Sequence, residues 1–288
     1  QNGQMPLQVA AERLVRDGVN ILHTIGGDDT NTTAADLSSY LEDNGYDLTV
    51  VGLPKTVDND VYPIKQTLGA ITAAEQGALF FRNIANENTT SSRHLIIHEV
   101  MGRNCGWLTA ATAREYQYLL DEEMFLPAAH IDREKWDIDA VYIPETKIDI
   151  NAEITRLEAR MNEKDSVNIF LSEGAGLDSI LLEMEKQGET INRDAFGHVR
   201  LDEIHPGQWF AKQFSKKIGA DKTLVQKSGY FARSAKACQR DLDLIFQSAD
   251  LAVSAALDGQ NGVSGLCDDS GEFEIISFDR IKGGKPFD

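Results

Sequence analysis

Near the N-terminus apolar residues fall at Leu7, Ala10, Ala11, Leu14 and Val15, a spacing that predicts a one-sided helix over Pro6 to Asp17 with Gly18 as its stop. VNILHTI (Val19 to Ile25) is apolar almost throughout and predicts a buried strand. After a glycine-aspartate turn, TTAADLSSYLEDNG (Thr32 to Gly45) returns to helical spacing and ends on another glycine. DLTVVGL (Asp47 to Leu53) predicts the next strand, followed by the loop PKTVDNDVYP and a long helix from about Gln66 to Ala85. HLIIHEV (His94 to Val100), the turn MGRNCG and a helix from Trp107 to Leu119 repeat the pattern. SVNIFLSEG (Ser166 to Gly174) and TLVQKSGYFARS (Thr223 to Ser234) supply further strand-to-loop transitions. The alternation is α/β throughout, and no repeat or low-complexity tract interrupts it. In open parallel sheets ligands gather beyond the carboxyl ends of the strands, and each polar cluster here follows an apolar strand.

Composition narrows the partners. The chain has 288 residues, 42% of them hydrophobic, enough for a sizeable core. Its 46 acidic and 28 basic residues give a formal charge of -18, which argues against nucleic acid or an anionic membrane as the main partner. An anionic substrate must therefore be met by local cations. No apolar run approaches the roughly 18 to 20 residues that span a bilayer, and no signal sequence opens the chain, so a cytoplasmic protein is expected. Cys105, Cys238 and Cys267 are far apart and without CxxC spacing, which suggests buried free thiols rather than disulfides or a zinc site. The opening QNGQMPLQVAAERLV, without an initiator methionine, reads as an internal start, with a further segment expected upstream.

Several clusters carry candidate chemistry. In IGGDDTNTTA, Asp28 and Asp29 follow a glycine turn of the kind that presents backbone N–H groups to anions. They can cap the next helix, or one of them can hold a hydrated magnesium ion that lets the turn face phosphate. PKTVDND (Pro54 to Asp60) packs Lys55, Thr56, Asp58 and Asp60 at a strand end. Taken alone, DND reads as a solvated turn bonding its own backbone. A carboxylate that removes a hydroxyl proton beside a cation that holds a phosphoryl group is, however, what a phosphotransferase requires. Arg103 sits between glycines just past a strand, where a surface role is the plain alternative. Glu173 can accept hydrogen bonds from sugar hydroxyls or simply open a helix. Lys227, Tyr230 and Arg233 form a group suited to a phosphate monoester. No P-loop, kinase HRD or DFG pair, GxGxxG after the first strand, or histidine metal spacing is present. His23, His94 and His98 are expected to be strand residues with satisfied side chains.

In order, GGDDT, PKTVDND, MGRNCG, SEG and GYFARS resemble the phosphofructokinase family, in its pyrophosphate-dependent branch, over about residues 5 to 265. The resemblance implies two similar Rossmann-like lobes with mostly parallel sheets and an active site in the cleft between them. Residues 1–69 plus 232–280 would form the magnesium-pyrophosphate lobe, and 70–231 the fructose 6-phosphate lobe. It implies that Asp58 is the base that takes the proton from the C1 hydroxyl of fructose 6-phosphate, with Lys55, Thr56 and Asp60 beside it. Asp28 matches the magnesium ligand, and Gly27 lies in the donor-binding turn. Met101, Gly102 and Arg103 match the segment that holds the sugar phosphate, Glu173 the sugar-hydroxyl acceptor and Arg233 a 6-phosphate ligand. Tyr230 stands where many ATP-using members have histidine. A homo-oligomer, dimer or tetramer, is implied as well.

Asp29 and Lys55 occupy positions where ATP-using relatives commonly have glycine. A carboxylate about 4 Å from a nucleotide's inner phosphate, at an effective dielectric near 20, costs roughly 4 kcal/mol per charge pair. That is about a thousandfold in affinity. Lys55 in turn suits the compact charge of pyrophosphate. The family's first strand and its glycine-rich donor loop are expected upstream of Gln1. Arg93 and His94 lie near a position where relatives supply a phosphate-binding arginine from a neighbouring subunit, one residue out of register, and neither is assigned. The alternatives are an ATP-dependent 6-phosphofructokinase and a non-catalytic subunit or inactive fragment of the same family.

Overall fold

The computed structural model describes residues 5–193 and 199–287. Among these residues the strands are β1 (Ile21–Gly26), β2 (Thr49–Pro54), β3 (His94–Val100), β4 (Ala140–Tyr142), β5 (Ser166–Ser172), β6 (Lys222–Lys227), β7 (Gly262–Leu266) and β8 (Phe273–Ile276). They form two sheets, ordered β1-β2-β7-β8 and β4-β5-β3-β6. Every pairing is parallel except that of β7 with β8. The chain divides into two compact units, Gln1–Ile71 with Ala237–Lys285, and Thr72–Lys236 with Pro286–Asp288.

In the first unit, successive β2 residues point to opposite faces and bury both. Val50 packs with Ala11, Ala34, Leu37 and Leu41 from the helices Pro6–Arg16 and Asp28–Asp43. Val51 and Leu53 pack with Leu244, Ala252, Ala255 and Ala256 of the helix Gln239–Leu257. Two helices differ from the sequence expectation at their starts. The first begins at Asp28 rather than Thr32, because a polar first turn leaves no apolar period to read. The second runs over Ala70–Ala85 rather than from Gln66. Gly69, at φ +95, precedes it, and its N–H donates to Asp241 Oδ1 at 3.0 Å.

In the second unit β3 and β5 are buried at every position, as expected of inner parallel strands covered on both faces. Leu95, Ile97, Val167, Ile169 and Leu171 meet Leu157, Phe210 and Phe214 on one face. Ile96 and Phe170 meet Phe81, Tyr116 and Leu120 on the other. His98 stacks among Phe80, Phe81 and Phe170, and complete burial lowers its pKa to about 3, so the ring is neutral. The histidines are less uniform than the sequence suggests. His23 is exposed, while His94 and His98 each bond a serine hydroxyl through Nε2 and leave Nδ1 without a partner. All three cysteines are free thiols; Cys105 and Cys267 are buried and Cys238 is partly so.

Candidate active site

In the first unit β1 and β2 run in register, Gly26 beside Pro54, so the GGDD turn and the PKTVDND loop leave the sheet side by side. The Lys55 N–H donates to Gly26 O at 2.7 Å and ties the two loops through main chain alone. Asn31, fully buried, donates from Nδ2 to Gly26 O and Gly27 O at 3.0 and 2.8 Å and fixes the turn from below. Gly26 cannot carry a side chain, because a Cβ there would lie 2.2 Å from Thr30 Oγ1. The helix N-cap is Gly27, not an aspartate; Asp28 and Asp29 occupy the first turn, where the helix dipole favours negative charge. The capping alternative for the acidic pair therefore falls away.

The turn chemistry of DND belongs to its middle residue. Asn59 holds a left-handed conformation (φ +55) that asparagine tolerates, and it is buried. Its Oδ1 accepts from the Thr67 N–H at 2.7 Å and from Thr67 Oγ1 at 3.1 Å, while its Nδ2 donates to Lys65 O at 3.2 Å. Thr67 Oγ1 also donates to Thr56 O at 2.8 Å, and the Asp58 N–H donates to Thr56 Oγ1 at 3.2 Å. The flanking Asp58 and Asp60 are thus set by a strut that does not use their carboxylates. The chain's last described stretch runs alongside. Lys285 N–H donates to Asp60 O at 2.9 Å, and a Cβ on Gly283 would overlap the Asp28 carboxylate at 1.7 to 2.0 Å.

Negative charge accumulates in this corner. Burial, and then the charges of Asp58, Asp28 and Asp29, raise the Asp60 pKa from 3.8 to about 6. A cation fits such a surplus of carboxylates. Among the described residues no group of three or more His, Cys, Asp or Glu could hold a metal ion alone. That donor set suits a hard ion held by one or two carboxylates and completed by phosphate oxygens and water.

In the second unit the carboxyl ends of β5, β3 and β6 lie next to one another and carry the loops with Glu173, Met101 to Arg103, and Tyr230 to Arg233. One carbonyl laces the first two: Gly102 O accepts the Gly174 N–H at 3.2 Å and the Ser172 hydroxyl. Gly102 adopts φ +136, and a Cβ on Gly174 would lie 1.7 Å from Arg103 O, so only glycine permits this approach. Glu173 Oε1 accepts from the Gly102 N–H at 3.4 Å. Burial raises the Glu173 pKa, that bond lowers it, Glu99 raises it, and Arg103 and Lys227 lower it. The Met101 side chain packs against Gly229, which opens the short helix Gly229–Arg233. Tyr230 and Arg233 are exposed on that helix, and Lys227 at the end of β6 pairs with Glu99 at 2.7 Å.

Each unit thus gathers its own candidates at one sheet end: Gly27, Asp28, Asp29, Lys55, Thr56, Asp58 and Asp60 in the first; Met101, Gly102, Arg103, Glu173, Lys227, Tyr230 and Arg233 in the second. Arg93 and His94 stand apart. Arg93 donates to Gly219 O, Ile218 O and Asn162 Oδ1 at 2.5, 3.0 and 3.1 Å, capping carbonyls of its own unit. His94 is buried, bonds Ser91 Oγ, and has a lowered pKa owing to burial and then Lys222. Sequence reasoning missed Asn31 and Thr67, whose partners are mostly main-chain atoms, whereas the reading of DND as a turn bonding its own backbone holds for Asn59.

The profile of the phosphofructokinase family matches residues 2–256. The chain belongs to the phosphofructokinase family. This family member is 58% identical, over its whole length, to the pyrophosphate–fructose 6-phosphate 1-phosphotransferase of Methylomonas methanica, of which it covers 70%. To the protein of the same name from Methylotuvimicrobium alcaliphilum it is 57% identical, covering 71%. These matches place it in the pyrophosphate-dependent branch. Its fold is phosphofructokinase-like: 96% of the chain superposes on 63% of the pyrophosphate-dependent phosphofructokinase of Nitrosospira multiformis, with TM-score 0.68 and 18% identity. It therefore spans about 70% of the length of the curated relatives and under two thirds of that solved chain. No described helix is long and apolar enough to cross a membrane.

Proposed function

We propose that this chain carries the groups for reversible phosphoryl transfer from pyrophosphate to the C1 hydroxyl of fructose 6-phosphate, giving fructose 1,6-bisphosphate and phosphate. The observation that carries this reading is the first-unit corner, where a lysine, a threonine and four aspartates meet on two loops tied by Lys55 N–H and Gly26 O. The names of its relatives at 57 and 58% identity support the same reaction.

In this reading Asp58 accepts the C1 hydroxyl proton as the oxygen attacks, and Thr56 holds the loop by accepting the Asp58 N–H. Asp60, whose charge neighbours that of Asp58, holds its proton up to about pH 6, higher than an ordinary carboxyl. Magnesium, held by Asp28, would supply charge neutralisation for the pyrophosphate oxygens. Gly27 lets the donor approach the helix N-terminus, and Lys55 stabilises the leaving phosphate. Asp29 and Lys55 together select pyrophosphate over a nucleotide. In the second unit, Lys227, Tyr230, Arg233 and Arg103 with Met101 and Gly102 bind the sugar phosphate, and Glu173 accepts a sugar hydroxyl. The active protein is a cytoplasmic homo-oligomer.

An aldolase-coupled assay of the purified chain with pyrophosphate or ATP as donor tests the reading. Turnover with magnesium pyrophosphate and fructose 6-phosphate is expected. Activity with ATP alone would overturn the donor assignment, and activity with neither would favour a binding protein.

A further inference from the structure

Glu99 entered neither the motif reading nor the roles above, yet it sits where the second-unit residues converge. It is the penultimate residue of β3 and stands beside Lys227 in the parallel register. Its side chain is 5% exposed and its partner's is 46% exposed, so a buried carboxylate grips a lysine whose remaining surface faces solvent. One oxygen, Oε1, lies 2.7 Å from Lys227 Nζ. The other, Oε2, accepts the Gly207 N–H at 2.8 Å, at the start of the helix Pro206–Phe214. Room for that bond exists only because residue 207 is glycine, since a Cβ would lie 2.6 Å from Oε2 and 2.7 Å from Val225 Cγ1. Glu99 O accepts the Ser228 N–H at 3.3 Å, so main chain and side chain both clamp the end of β6.

A buried carboxylate is costly unless fully partnered, and a plain structural tie here needs no exposed cation. The arrangement instead fixes the ammonium end of a flexible four-carbon side chain within electrostatic reach of the Glu173 carboxyl, which the charges of Glu99 and Arg103 also reach. We infer that Glu99 is a positioning residue that aims Lys227 at the sugar phosphate. This rests on the functional reading above. Without Glu99 the ammonium has many rotamers to lose on binding; with it, that ordering is complete before the ligand arrives.

The test is a double-mutant cycle on the full chain, with fructose 6-phosphate affinity read by calorimetry for wild type, Glu99→Gln, Lys227→Met and the double variant. Glutamine keeps the volume and an acceptor for Gly207 while removing the charge. Glu99→Gln is expected to weaken binding about tenfold, Lys227→Met at least as much, and the double variant no more than Lys227→Met alone. A second readout needs no sugar: in ligand-free crystal structures Lys227 is expected in one rotamer in wild type and in several in Glu99→Gln. Additive losses in the double variant, or binding unchanged in Glu99→Gln, would overturn the positioning role alone. Lys227 held in the same single rotamer in Glu99→Gln would overturn the ion pair's part in ordering it. If wild type binds no fructose 6-phosphate while the Lys227 rotamer still scatters in Glu99→Gln, the functional reading and the positioning role fall together and the ion pair stands.

Discussion

Asp60 offers a sharp electrostatic test, because the charges of Asp58, Asp28 and Asp29 all act on its partly buried carboxyl. Its pKa of about 6, against an ordinary 3.8, is a shift of about two units, or about 3 kcal/mol at full value. Partial contact with solvent reduces this to about 1 to 3 kcal/mol. The sign follows from proton binding. The folded state holds the proton to higher pH than the unfolded chain, so stability is lost as pH rises from about 4 to about 6 and stays lower above that. Asp60→Asn removes the ionisation while keeping the shape, and the contact of Asp60 O with Lys285 N–H is main chain and survives. The variant is therefore expected to be more stable than wild type by about 1 to 3 kcal/mol at pH 8, with the gain shrinking toward pH 4. Denaturant unfolding of both proteins at several pH values between 4.5 and 8, without divalent metal or pyrophosphate, measures the difference. A gain that does not change with pH, or one that grows on acidification, would refute the charge-crowding account.

Three further outcomes follow from the site. Asp58→Ser is expected to lower turnover by about a thousandfold with fructose 6-phosphate affinity nearly unchanged, read by coupled assay and calorimetry; lost binding with normal turnover of bound substrate would remove Asp58 from the chemistry. Asp29→Gly combined with Lys55→Gly should allow measurable use of ATP, and no gain in ATP turnover or binding would count against electrostatic donor selection. Asn59→Ala takes the acceptor from the buried Thr67 N–H and is expected to cost about 1 to 3 kcal/mol of stability and to reduce turnover more than sugar-phosphate affinity; unchanged melting and kinetics would show the strut to be dispensable.

Legibility tracked burial. β3 was readable to the residue because seven apolar or buried positions end abruptly at a glycine turn, and β5 likewise began where the hydrophobic run began. The helix at Asp28 was misplaced by four residues because DDTN carries no apolar period, and its start is set instead by Gly27 and by Asn31 reaching back to two carbonyls. The start at Ala70 depends on Gly69 and Asp241, a contact between residues far apart in sequence that no local window contains. The polar candidates were visible as short clusters after strands. What holds them was less so: DND signalled a turn bonding its own backbone, but Thr67 and Glu99 act through bonds to main chain or to another strand, and their residue types say nothing of those partners. Arg93 shows the converse, a cation whose donors are occupied by carbonyls of its own unit.

The bond from Lys55 N–H to Gly26 O has an evolutionary consequence. The junction of the GGDD turn and the PKTVDND loop is made of peptide groups that every residue except proline at position 55 would supply. Side chains at 29 and 55 can therefore be exchanged without dismantling the junction, whereas Gly26 and Asn31 are held by steric fit and by buried hydrogen bonds. Under the donor roles proposed for Asp29 and Lys55, a lineage carrying this framework can drift in its choice of phosphoryl donor through two outward-facing substitutions, while packing and hydrogen bonding constrain the residues beneath them.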